Sequence, residues 1–243
     1  MKIYVTGDTH QENNSEKLSE ENFVEQKELT KDDFVIIAGD FGYYWNEKSK
    51  KEIESREKLA EKPYTILYIE GNHDNYDLIE NLPESEWNGG RVHIDERYGF
   101  IHLMRGQVYN INGNKIFTFG GAYSIDKKFR KQGISHWDRE LPSEEEYEEG
   151  RKNLERVNYE VDYVLTHTCP LSIFHLIPKM SMGYTFEPNY EIETYLEEIY
   201  HKLKFKKWFF CVQIEQTNIM KSLYWLDQFS KKWQGLLGLV LKN

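Results

Sequence analysis

At 243 residues, 39% hydrophobic and 15% aromatic, the chain suits one large domain or two small ones and can build a sizeable core, which excludes global disorder. Its formal net charge of -10 argues against a general nucleic-acid binder, because a net anionic chain repels phosphate backbones at long range. The two cysteines, Cys169 and Cys211, form no CxxC pair, which excludes a disulfide framework or a cysteine zinc site and fits a reducing, intracellular compartment.

MKIYVTGD at the N-terminus turns polar too early for a signal peptide's apolar core. No apolar run approaches the roughly 18 residues of a membrane span. The expectation is a cytoplasmic protein without a membrane partner. KIYVT, from Lys2 to Thr6, reads as a first strand, followed directly by Gly7-Asp8-Thr9-His10. The charged stretch from Gln11 to Lys31 is expected to hold a surface helix. FVIIA, from Phe34 to Ala38, is a second, fully apolar strand closed by Gly39-Asp40, and a charged helical stretch runs from Glu47 to Glu61, before Pro63. TILYIE, from Thr65, is a third strand that breaks into Gly71-Asn72-His73-Asp74.

Strand-like runs then follow closely: RVHI from Arg91, YGFIHLM from Tyr98, QVYNI from Gln107 and KIFTF from Lys115. Asn112-Gly113-Asn114 between the last two is a hairpin signal, so this middle section reads as antiparallel. Ser143 and Glu146 are spaced as a capping box opening a helix. DYVLT, from Asp162, is another buried strand, ending at His167; a helix from about Tyr190 to Leu203 leads to a last strand, Lys207 to Phe210. No repeat, low-complexity block or linker divides the chain.

Four apolar strands thus end in polar side chains able to ligate a metal: Asp8 and His10, Asp40, Asn72 and His73, and His167. Strand ends at one edge of an α/β sheet converge on a common crevice. Carboxylate, imidazole and amide together suit a divalent transition metal such as Mn, Fe or Zn better than calcium. One aspartate bridging two ions would hold them about 3.5–4 Å apart, the spacing of two-metal phosphoryl chemistry.

The series GDTH, GDFG, GNHD and THT, in that order, resembles the calcineurin-like metallophosphoesterase family, whose pattern is Asp-x-His, Gly-Asp, Gly-Asn-His-Asp/Glu, an isolated His, then Gly-His-x-His. FGGAYSIDKKFR, from Phe119, is similar to a segment of bacterial and phage-borne members. The resemblance implies a four-layer α/β/β/α sandwich of two mixed sheets with helices outside, and two divalent metal ions as cofactors. It implies that Asp8 and His10 hold the first ion, Asp40 bridges, and Asn72 and His167 hold the second. His73 would protonate or stabilise the leaving oxygen, with Asp74 orienting its ring. A metal-activated water would attack phosphorus in line.

The implied function is hydrolysis of a phosphate mono- or diester on a small molecule or a protein. The alternative is a non-catalytic protein of this fold that binds a phosphorylated ligand or a protein partner. The resemblance extends over residues 1–211, read as one phosphoesterase domain. Where Gly-His-x-His should follow WFF, the chain reads WFFCVQIEQTN from Trp208, and the last histidine is His201. One family ligand of each metal is therefore missing. Residues 212–243 read as an atypical tail, the product of a frameshift or of degenerate closing strands.

Blander roles compete for several of these residues. Asp8 and Asp40 suit helix caps, and His167 taken alone suits a core or turn histidine. Arg130 has the planar fork to clamp a substrate phosphate, although a surface arginine is the favoured reading. Gly121, in Gly120-Gly121, suits either a tight chain crossing or a close backbone approach to substrate.

Overall fold

The computed structural model describes residues 1–10, 15–175, 189–211, 224–225 and 238–240. β1 (Ile3–Thr6), β2 (Phe34–Ala38) and β3 (Thr65–Ile69) are short apolar runs that lie in parallel, Ile3 beside Phe34 and Phe34 beside Thr65. Their residues are buried almost throughout, as expected of parallel strands covered on both faces. Alternation sends Val5, Ile36 and Leu67 to one apolar cluster, and Tyr4, Ile37 and Tyr68 to another on the opposite face.

Parallel neighbours need crossovers rather than hairpins. Between β2 and β3 the crossover is α1 (Lys50–Ala60), capped by the Ser49 hydroxyl on the Glu52 N–H. Between β1 and β2, the described residues hold two 3-10 turns, Ser15–Leu18 and Val24–Glu28, in place of the helix expected over Gln11 to Lys31. The reason is packing: Leu18, Phe23 and Leu29 are all buried under the sheet, at a spacing no single helical stripe provides. Residues 11–14 of that expected helix lie outside the described residues.

β4 (Glu84–Trp87), β5 (Gly90–Asp95) and β6 (Phe100–Leu103) are antiparallel to one another, and β6 runs parallel to β3. With β11 (Tyr224–Trp225) antiparallel to β1, the first sheet has the order β11-β1-β2-β3-β6-β5-β4. β7 (Gln107–Ile111) and β8 (Asn114–Phe119) form the expected hairpin. β8, β9 (Tyr163–Thr166) and β10 (Lys207–Phe210) are parallel, and β12 (Gly238–Val240) is antiparallel to β10, giving β12-β10-β9-β8-β7. β11 and β12 come from residues 212–243, the stretch expected to be an atypical tail; the rest of it lies outside the described residues.

The two mixed sheets pack face to face through Ile36, Leu67 and Val92 on one side and Ile116, Leu165 and Phe209 on the other. α1 covers the outer face of the first sheet through Leu59. After the short α2 (Tyr76–Ile79), α3 (Glu144–Arg156) and, beyond the short α4 (Leu171–Phe174), α5 (Glu191–Lys202) cover the second through Tyr147, Leu154, Leu196 and Ile199. α3 opens with the expected capping box of Ser143 and Glu146. Each buried Ile, Leu or Phe contributes roughly 1.5–3 kcal/mol, against about 0.3–0.5 kcal/mol for an exposed i,i+4 ion pair such as Lys202–Glu198. Apolar burial between and outside the sheets therefore sets the four-layer α/β/β/α arrangement.

Candidate metal centre

The turns after β1 and β2 leave the strand conformation abruptly. Asp8, His10 and Asp40 have φ of 49°, 40° and 51°, the left-handed region that Asp and His tolerate better than most residues. The amides of Asp8 and His10 donate to the carbonyls of Gly39 and Asp40, both at 3.1 Å, so the two loops continue the parallel ladder side by side. Such strained positions cluster where a site needs side chains aimed against the run of the strand. The loop after β3 is tied in by Asp40 Oδ1, which accepts the His73 amide at 2.8 Å.

His167, at the end of β9, brings in the second sheet. Its Nε2 lies 3.0 Å from Asn72 Oδ1 and 3.5 Å from Asp40 Oδ1, and its Nδ1 lies 3.2 Å from Ala38 O. A tautomer with Nδ1–H donated to Ala38 O would turn the Nε2 lone pair, together with Asn72 Oδ1 and Asp40 Oδ1, towards a shared cation. On the other side of Asp40, His10 Nε2 lies 3.3 Å from Asp40 Oδ2 and 4.0 Å from Asp8 Oδ1. Asp8 Oδ1, His10 Nε2 and Asp40 Oδ2 are all buried without a hydrogen-bond partner. Buried polar atoms are normally satisfied, so three orphans converging on one place is the pattern of ligands around a cation.

Two sets of donor atoms therefore share Asp40: Asp8, His10 and Asp40, and Asp40, Asn72 and His167. Ligand atoms of Asp8, Asp40 and His167 lie within 4.8 Å of one another, and all three residues are buried. Two glycines make this approach possible. A Cβ on Gly39, whose φ is +88°, would overlap the His167 imidazole, and one on Gly71 would overlap the Asp40 carboxylate.

The electrostatics match a site short of positive charge. Burial and then the neighbouring Asp40 push the Asp8 carboxyl up to about 6. Burial opposes ionisation of Asp40 too, but the imidazoles of His167 and His10 hold it well below the usual carboxylate range. Burial likewise opposes protonation of His10, yet the Asp40 and Asp8 carboxylates raise it overall. Clustered perturbations of opposite sign are characteristic of functional sites.

His73 stands at the mouth, its ring edge-on to His10 at 5.6 Å between centroids. Burial, reinforced by the charge of Arg130, holds its imidazole below the usual value despite Asp40. Asp74, expected to orient that ring, has a different task. Its Oδ2 accepts the amides of Phe41 and Gly71 at 3.2 and 2.8 Å, and its Oδ1 accepts that of Gly42 at 2.8 Å. With both oxygens on backbone N–H groups, it clamps the Asp40 loop to the Asn72–His73 loop.

Arg130 lies beside the site, but its guanidinium is engaged by Ser124 Oγ at 2.6 Å, Asn72 O at 3.1 Å and the Glu140 and Asp126 carboxylates. Gly121, with φ +87°, donates its amide to Glu70 O, and a Cβ there would strike Arg105 and the Glu140 carbonyl. That is a tight crossing of the chain ends of β3 and β8. Cys211, where Gly-His-x-His was expected to begin, packs against Gly7 beside the Asp8 carboxylate. Burial and then the Asp8 charge push its thiol well up, keeping it a donor.

Sequence reasoning missed three contributors. Buried Lys17 donates to the carbonyls of Gly7 and Asp8 at 2.7 and 3.0 Å, although its surrounding charge run gave no sign of burial. Ser124, which touches Asn72, and Glu140, which touches Arg130, signalled themselves only through the FGGAYSIDKKFR segment and the SHWDRE stretch after it.

The sequence model of the calcineurin-like phosphoesterase family matches residues 1–208. The chain is also 26% identical over 198 residues to lariat debranching enzyme A of Xenopus laevis, an alignment covering 72% of this chain and 34% of that protein. The chain thus spans about a third of the length of that relative.

Proposed function

The chain belongs to the calcineurin-like phosphoesterase family, and from that premise we propose that it hydrolyses a phosphate mono- or diester with the help of two divalent cations. The observation that carries this reading is the set of orphaned atoms on Asp8, His10 and Asp40 facing one crevice. Asp8, His10 and Asp40 would hold one ion, and Asp40, Asn72 and His167 the other. Mixed carboxylate, imidazole and amide donors favour Mn, Fe or Zn over calcium. When bound, such ions supply Lewis-acid polarisation of a phosphoryl oxygen and lower the pKa of water towards neutrality.

The chain's own groups do the rest. Asp74 fixes the two loops that carry Asp40 and His73, so that the reacting groups keep their spacing. His73 presents a ring N–H to the leaving oxygen and stabilises the charge that develops there. The substrate is a phosphorylated small molecule or protein; the net charge of -10 works against general nucleic-acid binding. Two buried free thiols fit a reducing cytoplasm. Among the described residues no helix is long and apolar enough to cross a membrane.

Aryl phosphate and bis-aryl phosphodiester hydrolysis with Mn(II), against chelator, tests the proposal. Turnover should need the cation and disappear in Asp40→Ala; turnover that persists in Asp40→Ala overturns it. One feature favours the non-catalytic alternative, the absence of Gly-His-x-His after β10. Cation binding without turnover of either ester would support that reading instead.

A further inference from the structure

We propose that Ser124, held by Arg130, is a positioning residue that turns the Asn72 amide so that its oxygen, not its nitrogen, faces the cation site. This rests on the reading of the crevice as a metal centre and adds to it a group outside the ligand set. A carboxamide offers an oxygen and an NH2 of nearly the same shape. Only the oxygen can ligate a cation; an amide turned the other way presents two N–H dipoles to it. Something must therefore choose between the two orientations.

In the structure Asn72 Nδ2 donates to Ser124 Oγ at 3.0 Å, while Oδ1 lies 3.0 Å from His167 Nε2. Ser124 is 2% exposed, so no bulk water competes for its hydroxyl. Its Oγ also accepts Arg130 Nη1 at 2.6 Å. A hydroxyl oxygen has two lone pairs and one proton, and with Arg130 on one lone pair and Asn72 on the other the proton points away from both. An amide oxygen placed there would meet a lone pair; the NH2 meets an acceptor.

Arg130 completes the arrangement. Its Nη2 donates to Asn72 O at 3.1 Å and lies 3.4 Å from Glu140 Oε1, so one guanidinium holds the serine and the ligand's backbone and is itself held by a buried acid. Its fork is thereby directed at Asn72 rather than at a substrate phosphate. Glu140 is held in turn by the Trp137 amide, at 3.1 Å. Supporting groups of this kind commonly contribute about 10–100-fold to metal affinity.

The test is Mn(II) binding to purified protein, followed by the loss of the free-ion electron spin resonance signal, with thermal unfolding in chelator as a check on the fold. Ser124→Ala should weaken one class of bound ion by about 10–100-fold and leave the other unchanged. Ser124→Cys, whose thiol accepts poorly, should give the same loss should the alanine variant not fold. The decisive arm places Ser124→Ala on an Asn72→Asp background. A carboxylate has no wrong face, so the serine should then matter less than about threefold; coupling of this kind is what a double-mutant cycle isolates.

Wild-type affinity in Ser124→Ala, or an equal loss on both backgrounds, overturns the positioning role alone. Absence of Mn(II) binding by the wild type overturns the metal reading and this proposal with it.

Discussion

Glu193→Gln should make the metal-free protein more stable at pH 8 and leave it nearly unchanged at pH 5. Glu193 sits in the first turn of α5, 3% exposed, beneath the loop that carries His167. Its Oε1 accepts the Thr168 hydroxyl at 2.7 Å, and its Oε2 is buried without a partner. Burial pushes its carboxyl from 4.5 up to about 7. Because the folded pKa is the higher one, the folded chain binds the proton more tightly. The associated stability is complete below pH 4.5 and is lost as pH rises through about 7. A shift of that size corresponds to about 3 kcal/mol, or on the order of 6–12 °C in Tm for a protein of this size. Glutamine keeps the oxygen that accepts from Thr168 and removes the charge. Thermal unfolding in chelator at intervals from pH 5 to 8 should show the two Tm curves meeting at the acid end and the variant above the wild type at pH 8. Parallel curves, or a variant that is less stable at pH 8, would refute burial of an unpaired carboxyl as the cause.

Arg105→Ala should lower stability by about 3–5 kcal/mol, because it leaves the Glu70 carboxylate buried with His102 as its remaining ion partner among the described residues; chemical denaturation that moves by less than about 1 kcal/mol would contradict this. Gly71→Ala should raise the apparent Mn(II) dissociation constant at least about tenfold, since the added methyl would strike both the carboxylate and the backbone nitrogen of Asp40; isothermal titration reads the change, and unaltered affinity would show that the Asp40 loop has room to move.

Much of the site could be read from the chain because strand ends and ligands coincide in sequence. FVIIA followed by Gly-Asp announces both a buried strand and the residue delivered to its end, and the same holds for KIYVT and for DYVLT with His167. The Asn112-Gly113 hairpin and the Ser143 capping box were equally local. What escaped depends on tertiary context. β4, ESEW, is polar and exposed, and it is a strand only because β5 offers it a ladder. The Gln11 to Lys31 stretch has helical composition, yet three apolar anchors on the sheet override it. The resemblance implied Asp74 as the partner of His73, but the left-handed turn at Asp40 brings the Phe41 and Gly42 amides onto its carboxylate, beside that of Gly71. Ser124 and Arg130 reach Asn72 across some fifty positions of sequence, which no local pattern encodes.

Whether the crevice is a metal centre is decided most directly by equilibrium dialysis against Mn(II), with metal content measured for the wild type and for Asp40→Ala. Each ion would find three protein ligands, enough with water to hold a catalytic metal, while the fourth expected from Gly-His-x-His is missing. The expected result is binding of up to two ions per wild-type chain that dialysis into metal-free buffer removes, and none in Asp40→Ala, which lacks the shared ligand. Equal binding by both proteins, or none by either, would contradict the assignment.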